Sequence, residues 1–207
     1  MHYEILTSAQ QSALALLTSV ETLRGFYLAG GTALALHLGH RESVDFDFFR
    51  KESFDPQRLL VSLPSPPPVR VLQEANNTLT VDFRGVKTSF FAFSHSMVRP
   101  LETGMCGWGM ASIPDIAAMK LAAIAGRGSR KDFVDIYFIC RDCFPLKEAF
   151  HFLQVKFTGQ EYDLYHVLRS LTYFEDAEAE PMPKLRKPAD WQQIKSFLTM
   201  EATRLRL

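Results

Sequence analysis

Two short runs in the first quarter of the chain hold residue types suited to binding phosphate and a divalent cation. Gly30-Gly31-Thr32 follows the apolar stretch Phe26 to Leu28 and precedes a helical pattern from Ala33 to Leu38. Two glycines between a strand and a helix let a ligand approach the backbone closely. The N–H groups of the helix's first turn then face outward, where a phosphate accepts them. Thr32 adds a hydroxyl donor. Further on, Val44-Asp45-Phe46-Asp47-Phe48 alternates apolar and acidic residues, which reads as a strand over Val44 to Phe49 with both carboxylates on one face. Two carboxylates that close are costly unless a cation sits between them. Mg²⁺ takes oxygen ligands of this kind and keeps water and substrate phosphates in its other positions. A phosphate cradle beside such a pair is suited to in-line phosphoryl or nucleotidyl transfer.

Between the two runs lie His37, His40, Arg41 and Ser43. Arg41 is placed to contact phosphate or to pair with an acid, and Ser43 to orient the Asp pair. Either histidine has the chemistry to touch a nucleotide or carry a proton, although a surface or helix-end position is the plainer reading. Later in the chain, Asp132 and Asp135 stand three residues apart on a helical pattern and so share a face. Arg127, Arg130 and Lys131 put positive charge beside them. A salt-bridged solvated face is the less favoured reading of this cluster, because Phe133, Ile136 and Tyr137 already supply the buried stripe.

Other motifs carry less. Cys140 and Cys143 have CxxC spacing, but they fall at a helix end, where the dipole opposes a thiolate. No further zinc ligands stand at suitable spacing. Phe90, Phe91 and Phe93 have the rings to stack a base, with core packing the favoured reading. Lys184, Arg186 and Lys187 form a small basic cluster in a polar stretch, read as a solvated loop rather than an RNA contact.

The elements that must position these residues follow from periodicity and caps. Thr7 to Leu23 reads as a helix, with Thr7 and Gln10 in capping-box relation. Phe26 to Leu28 reads as a buried strand. Asp55 and Pro56 open a helix that ends before the loop Pro64 to Pro68. Val69 to Gln73, Thr78 to Phe83 and Val86 to Phe93 are strand-like, the last two joined by the tight turn Arg84-Gly85. Gly104 to Gly109 is loop-like. Ser112 to Ala125 and Arg130 to Arg141 are helical, with Gly126 ending the first. Pro145 to Leu207 is mostly helical in pattern, interrupted near Glu175 to Pro188. The expected fold is α+β: a mixed sheet with flanking helices over residues 1–110, and a helical region over 111–207 that completes the cleft.

Composition narrows the class. The chain has 207 residues, 47% apolar and 22% charged, which is ordinary for a globular protein. Lys plus Arg equals Asp plus Glu at 23 each, so any basic surface arises by local clustering. No run of about 18 apolar residues points to a membrane span. The first residues lack the basic and apolar regions of a signal peptide. Three cysteines without a framework pattern fit a reducing compartment, and the cytoplasm is the expected location.

The longer string from Leu28 to Phe49, LAGGTALALHLGHRESVDFDFF, resembles the AbiEii/AbiGii toxin-type branch of the nucleotidyltransferase superfamily. A second block from Lys120 to Phe138 is similar to the same family, which shows a Lys, then an Arg, then Arg/Lys-Lys-Asp-x-x-Asp there. The stretch Leu171 to Glu178 looks like that of its short members. The resemblance implies that Gly30, Gly31 and Thr32 hold nucleotide phosphates and that Asp45 and Asp47 bind the metal, Mg²⁺ or Mn²⁺. Lys120, Arg130 and Lys131 would neutralise triphosphate charge, with Arg127 beside them. Asp132 and Asp135 would line the same cleft as catalytic groups. The implied activity is transfer of a nucleoside monophosphate from an NTP to an RNA (tRNA) or protein acceptor. The implied role is that of a toxin with a cognate antitoxin, and no membrane is involved.

The chain departs from the superfamily pattern at one point. A third carboxylate is usual on a later strand, and here Ser89 occupies the expected position, with Asp82 on the neighbouring strand as a conceivable substitute. The other reading that follows is a catalytically weak nucleotide-binding regulatory or partner-binding module.

Overall fold

The computed structural model describes residues 1–65, 68–159 and 163–205. The first helix, α1 (Ser8–Thr18), opens on the expected capping box, with the Thr7 hydroxyl accepting from Gln10 N–H and the Gln10 side chain accepting from Thr7 N–H. It ends earlier than the periodicity predicts, and a separate 3₁₀ turn covers Glu21–Leu23. Next come β1 (Tyr27–Ala29), α2 (Gly30–Leu38) and β2 (Phe46–Arg50). Asp45 therefore lies just ahead of the strand rather than in it. Helix α3 (Pro56–Ser62) is capped by Asp55, which accepts from the N–H groups of Gln57 and Arg58. Within the proline run, residues 66–67 lie outside the described residues.

Strands β3 (Arg70–Ala75), β4 (Thr78–Phe83) and β5 (Val86–Ala92) form a meander. Gly104 to Gly109, expected to be loop, holds a 3₁₀ turn (Met105–Gly107) between two short strands, β6 (Glu102–Thr103) and β7 (Gly109–Met110). Helix α4 (Ile113–Arg127), capped by Ser112, runs through Gly126, and Gly128 ends it instead. Helices α5 (Arg130–Asp142), α6 (Leu146–Lys156), α7 (Leu164–Ser170), α8 (Glu175–Glu178) and α9 (Trp191–Arg204) complete the described chain. Residues 160–162 and 206–207 of the helical C-terminal stretch lie outside the described residues.

The sheet order is β3-β4-β5-β2-β1-β7-β6. Strand β2 runs antiparallel to β1 and parallel to β5, so the sheet is mixed. Period two divides its faces. Phe46, Phe48, Leu79, Val81, Phe83 and Phe90 are buried on one face. The covering elements there include Trp108, whose ring lies 4.6 Å from Phe48 and whose indole N–H donates to Leu14 O on α1. Asp47, Ser89, Thr80 and Gln73 stand in one transverse row on the opposite face, each paired with the next across β2, β5, β4 and β3. Helices α4 and α5 pack on α2 beside that face. Among the described residues, no helix is long and apolar enough to cross a membrane.

Candidate active site

A cleft of about 660 Å³ opens over this polar row. Its floor is the Gly30-Gly31 turn with Asp45, Asp47 and Ser89, and α4 and α5 supply Lys120, Arg127, Lys131 and Asp132. Residues from both halves of the chain thus line one cavity.

Gly30 has φ 66°, a left-handed conformation open to glycine and strained for other residues. A Cβ there would stand 2.6 Å from Asp47 Oδ2. At Gly31 a Cβ would collide with Arg41 Nη2. The strand–helix turn is therefore bare backbone pressed between a carboxylate and a guanidinium. Gly30→Ala is expected to cost about 1–2 kcal/mol for the φ alone and to push Asp47 aside. Thermal unfolding with Mn²⁺ binding checks this: a modest drop in Tm with a large loss of metal affinity is the expected pair of results.

Asp47 pairs in register with Ala29 on one side and Ser89 on the other. Burial raises its carboxyl pKa; Lys120 works against that shift, and Asp45 adds to it. Lys87 Nζ lies 3.8 Å from Asp45 Oδ2. Two neighbouring acids in one cleft, one with a raised pKa, fit a divalent cation, which would let both stay ionised. Among the described residues, no group of three His, Cys, Asp or Glu side chains is placed to hold a metal. Protein ligands from this pair therefore leave the other positions of such a cation to water and phosphate.

Asp135 lies beneath the cleft rather than on its wall, with its side chain fully buried. Arg41 grips it with two bonds, Nε to Oδ1 at 2.7 Å and Nη2 to Oδ2 at 2.9 Å. Lys120 Nζ is 2.7 Å from Oδ2, and His40 Nε2 is 2.8 Å from Oδ1. Burial works to raise the Asp135 pKa, but Arg41 and then Lys120 outweigh it and hold the carboxyl well below the usual range. Burial works to lower the Lys120 pKa, but Asp135 and Asp132 outweigh it. Burial lowers the His40 pKa despite the bond to Asp135, so this ring is neutral and donates to the carboxylate. Asp132 does reach the cleft wall, accepting from Lys120 Nζ at 2.6 Å through Oδ1.

Two further expectations are corrected by position. The Thr32 hydroxyl is buried and turned inward, donating to the Asp45 carbonyl oxygen and approaching Ser43 Oγ at 2.9 Å. It braces the loop carrying Asp45 instead of facing a ligand. Arg130 points away from the cleft: its guanidinium donates to the carbonyls of Ala177 and Glu178 and lies 4.7 Å above the Trp191 ring. Gly30, Gly31, Arg41, Ser43, Asp45, Asp47, Lys120, Arg127, Lys131 and Asp132 all line the cavity.

The lesser motifs divide. His37 bonds the Ala111 carbonyl, away from the cleft. Phe90 is core, Phe91 lies in the cleft wall 5.2 Å from Phe49, and Phe93 packs on His95 and Phe157. Lys184 also lines the cleft, 2.7 Å from Glu42, while backbone bonds tie residues 184–187 to residues 40–42. Lys187 pairs instead with Asp142. Burial pushes the Cys140 thiol up to about 12, which leaves it unreactive. Asp82 is held by Arg70 and by Gly85 N–H at the hairpin end, so it does not replace the carboxylate missing at Ser89.

Sequence reasoning passed over Lys87, Thr80, Gln73 and Glu42, all in the cleft. Lys87 had a usable signal, since it stands two residues before Ser89 on one strand and hence on its face.

The family model described as nucleotidyl transferase AbiEii toxin, type IV TA system, matches residues 14–204. The chain belongs to the AbiEii nucleotidyltransferase toxin family. An uncharacterized protein of Aquifex aeolicus (strain VF5) is 35% identical over 196 residues, covering 93% of each chain. MenT4, a nucleotidyltransferase toxin from Mycobacterium tuberculosis H37Rv, superposes with a TM-score of 0.64 at 14% identity, over 95% of this chain and 83% of that one. A candidate nucleotidyltransferase from H. pylori gives 0.55 at 16% identity, over 96% and 95%. The expected nucleotidyltransferase-type α+β fold is thus the observed one.

Proposed function

We propose that this AbiEii-family cleft moves a nucleoside monophosphate from an NTP to an RNA or protein acceptor, in the cytoplasm, as a toxin restrained by a cognate antitoxin. The observation that carries the reading is the bare Gly30-Gly31 backbone set against Asp47, with Asp45 beside it and cationic side chains opposite. The α2 N-terminus and the exposed Lys131 and Arg127 favour the triphosphate. Lys120 and Arg41, fixed by Asp135, present positive charge that needs no reorganisation as charge develops on the leaving group. Mg²⁺ or Mn²⁺ held by Asp45 and Asp47 would align the phosphates and offset their charge. An acceptor hydroxyl attacks the α-phosphorus in line. The bond from that phosphorus to the bridging oxygen breaks, pyrophosphate leaves with the electron pair, and the hydroxyl proton is released to solvent. Phe49 and Phe91 offer ring faces on the same side of the sheet as Asp47 for a base of either substrate.

The test is pyrophosphate release from each of the four NTPs with Mg²⁺ and total RNA or dialysed lysate, comparing the native chain with Asp45→Ala/Asp47→Ala. Release that the double variant loses is the expected result. NTP binding without release points to the regulatory module that Ser89 raises. Neither binding nor release would sink the site.

A further inference from the structure

We infer that Lys87 supplies the second positive charge at the carboxylate pair, so that this nucleotidyltransferase works with one divalent ion where a three-carboxylate site takes two. The inference rests on the transfer reading of the cleft and goes beyond it in naming the ion count and the residue that sets it.

Three observations converge. Ser89 stands beside Asp47 in the parallel pairing of β2 and β5, and it is a buried neutral group within 3.2 Å of the Thr80 hydroxyl. Asp82, a possible replacement, is occupied at the hairpin end. Two residues before Ser89, on the same strand face, Lys87 extends its ammonium to within 3.8 Å of Asp45 Oδ2. Arg41 and Lys120 are balanced in number by Asp132 and Asp135, so this deep cluster adds no net charge to the count, although Lys120 still acts on Asp47.

Charge balance then decides the ion count. Three carboxylates with two divalent ions leave one net positive charge facing the phosphates. Two carboxylates with Lys87 and one divalent ion leave the same. A second divalent ion in this site would find Ser89 beside Asp47 in place of a third acid, no cluster of three acids among the described residues, and the Lys87 ammonium at close range. An ammonium suits the task, as a compact point charge on a flexible stem that can follow the phosphates.

The experiment is Mn²⁺ titration followed by electron paramagnetic resonance of the free ion, with and without an NTP analogue carrying a methylene α–β bridge. The native chain is expected to bind one Mn²⁺ per molecule with the analogue present. Lys87→Met is expected to tighten Mn²⁺ binding about five- to tenfold without nucleotide and to lower kcat for pyrophosphate release by about 100-fold. Lys87→Arg is expected to restore most of both. Ser89→Asp combined with Lys87→Met is expected to raise the stoichiometry to two. Two ions on the native chain, or a Lys87→Met variant within twofold of native in both Mn²⁺ affinity and kcat, would overturn the inference and leave the transfer reading standing. A native chain that binds no Mn²⁺ and releases no pyrophosphate would remove both. The native stoichiometry and Lys87→Met decide the matter even if buried Ser89→Asp does not fold.

Discussion

Asp135→Ala is expected to destabilise the protein by about 3–5 kcal/mol, a large share of the roughly 5–15 kcal/mol that holds a typical domain folded. The side chain has no exposure, and Arg41, Lys120 and His40 all converge on its two oxygens. Removing it leaves a guanidinium and an ammonium facing each other in a buried space with Asp132 alone to offset them. A charge buried without its partner costs far more than the intact pair contributes. Asp135→Asn separates charge from shape. It keeps one acceptor oxygen for Arg41 or Lys120 and loses the rest, so its loss should fall between the native and alanine values. Urea denaturation at pH 7 measures both. A loss under about 1 kcal/mol for the alanine variant would show that the cluster is solvated and that Asp135 is not an anchor. The damage would also reach the segment carrying His40 and Arg41, and through their backbone bonds residues 184–187.

Asp135 also marks where the sequence stopped being readable. Its spacing from Asp132 places both on one face of α5, and that much is local geometry. That face meets α2 and α4, however, so one acid emerges at the cleft and the other is sealed beneath it by Arg41. Only long-range packing decides between the two. Arg130 shows the same effect, since its partners come from Glu178 and Trp191, far along the chain. What could be read directly was whatever depends on neighbours in sequence: the Thr7 capping box, the Asp55 cap, the β4–β5 hairpin and the strand–glycine–helix turn at Gly30. Lys87 falls between the two classes. Its strand and face were legible, but its approach to Asp45 depends on the parallel pairing of β2 with β5, two strands separated by a helix and the β3–β4 hairpin.

Asp47→Asn is expected to lower turnover by about 1,000-fold or more while raising the stability of the metal-free protein. The two effects share one cause. Burial and the charge of Asp45 make ionised Asp47 unfavourable in the fold, with Lys120 only partly offsetting them, so its pKa is raised. A carboxyl whose folded pKa exceeds its unfolded value of about 3.9 destabilises the fold once pH is above that unfolded value. The penalty develops as pH rises from the unfolded pKa through the folded one and is full above it. Below the unfolded value Asp47 is protonated in both states and contributes nothing. Asparagine keeps the shape and removes this term, so the urea midpoint of the variant should exceed that of the native chain at pH 7. The gap should close as pH falls, because the native Asp47 then takes up its proton. The same substitution removes one of the two carboxylates available to a cation, and Mn²⁺ should protect the native chain from urea but not the variant. An Asp47→Asn chain that is less stable than native at pH 7, or that is still protected by Mn²⁺, would show that Asp47 is held by contacts of its own and is not kept ionised for a cation. The expected pattern makes the carboxylate pair a stored electrostatic cost, retained because relieving it is what binds the ion and, through the ion, the phosphates.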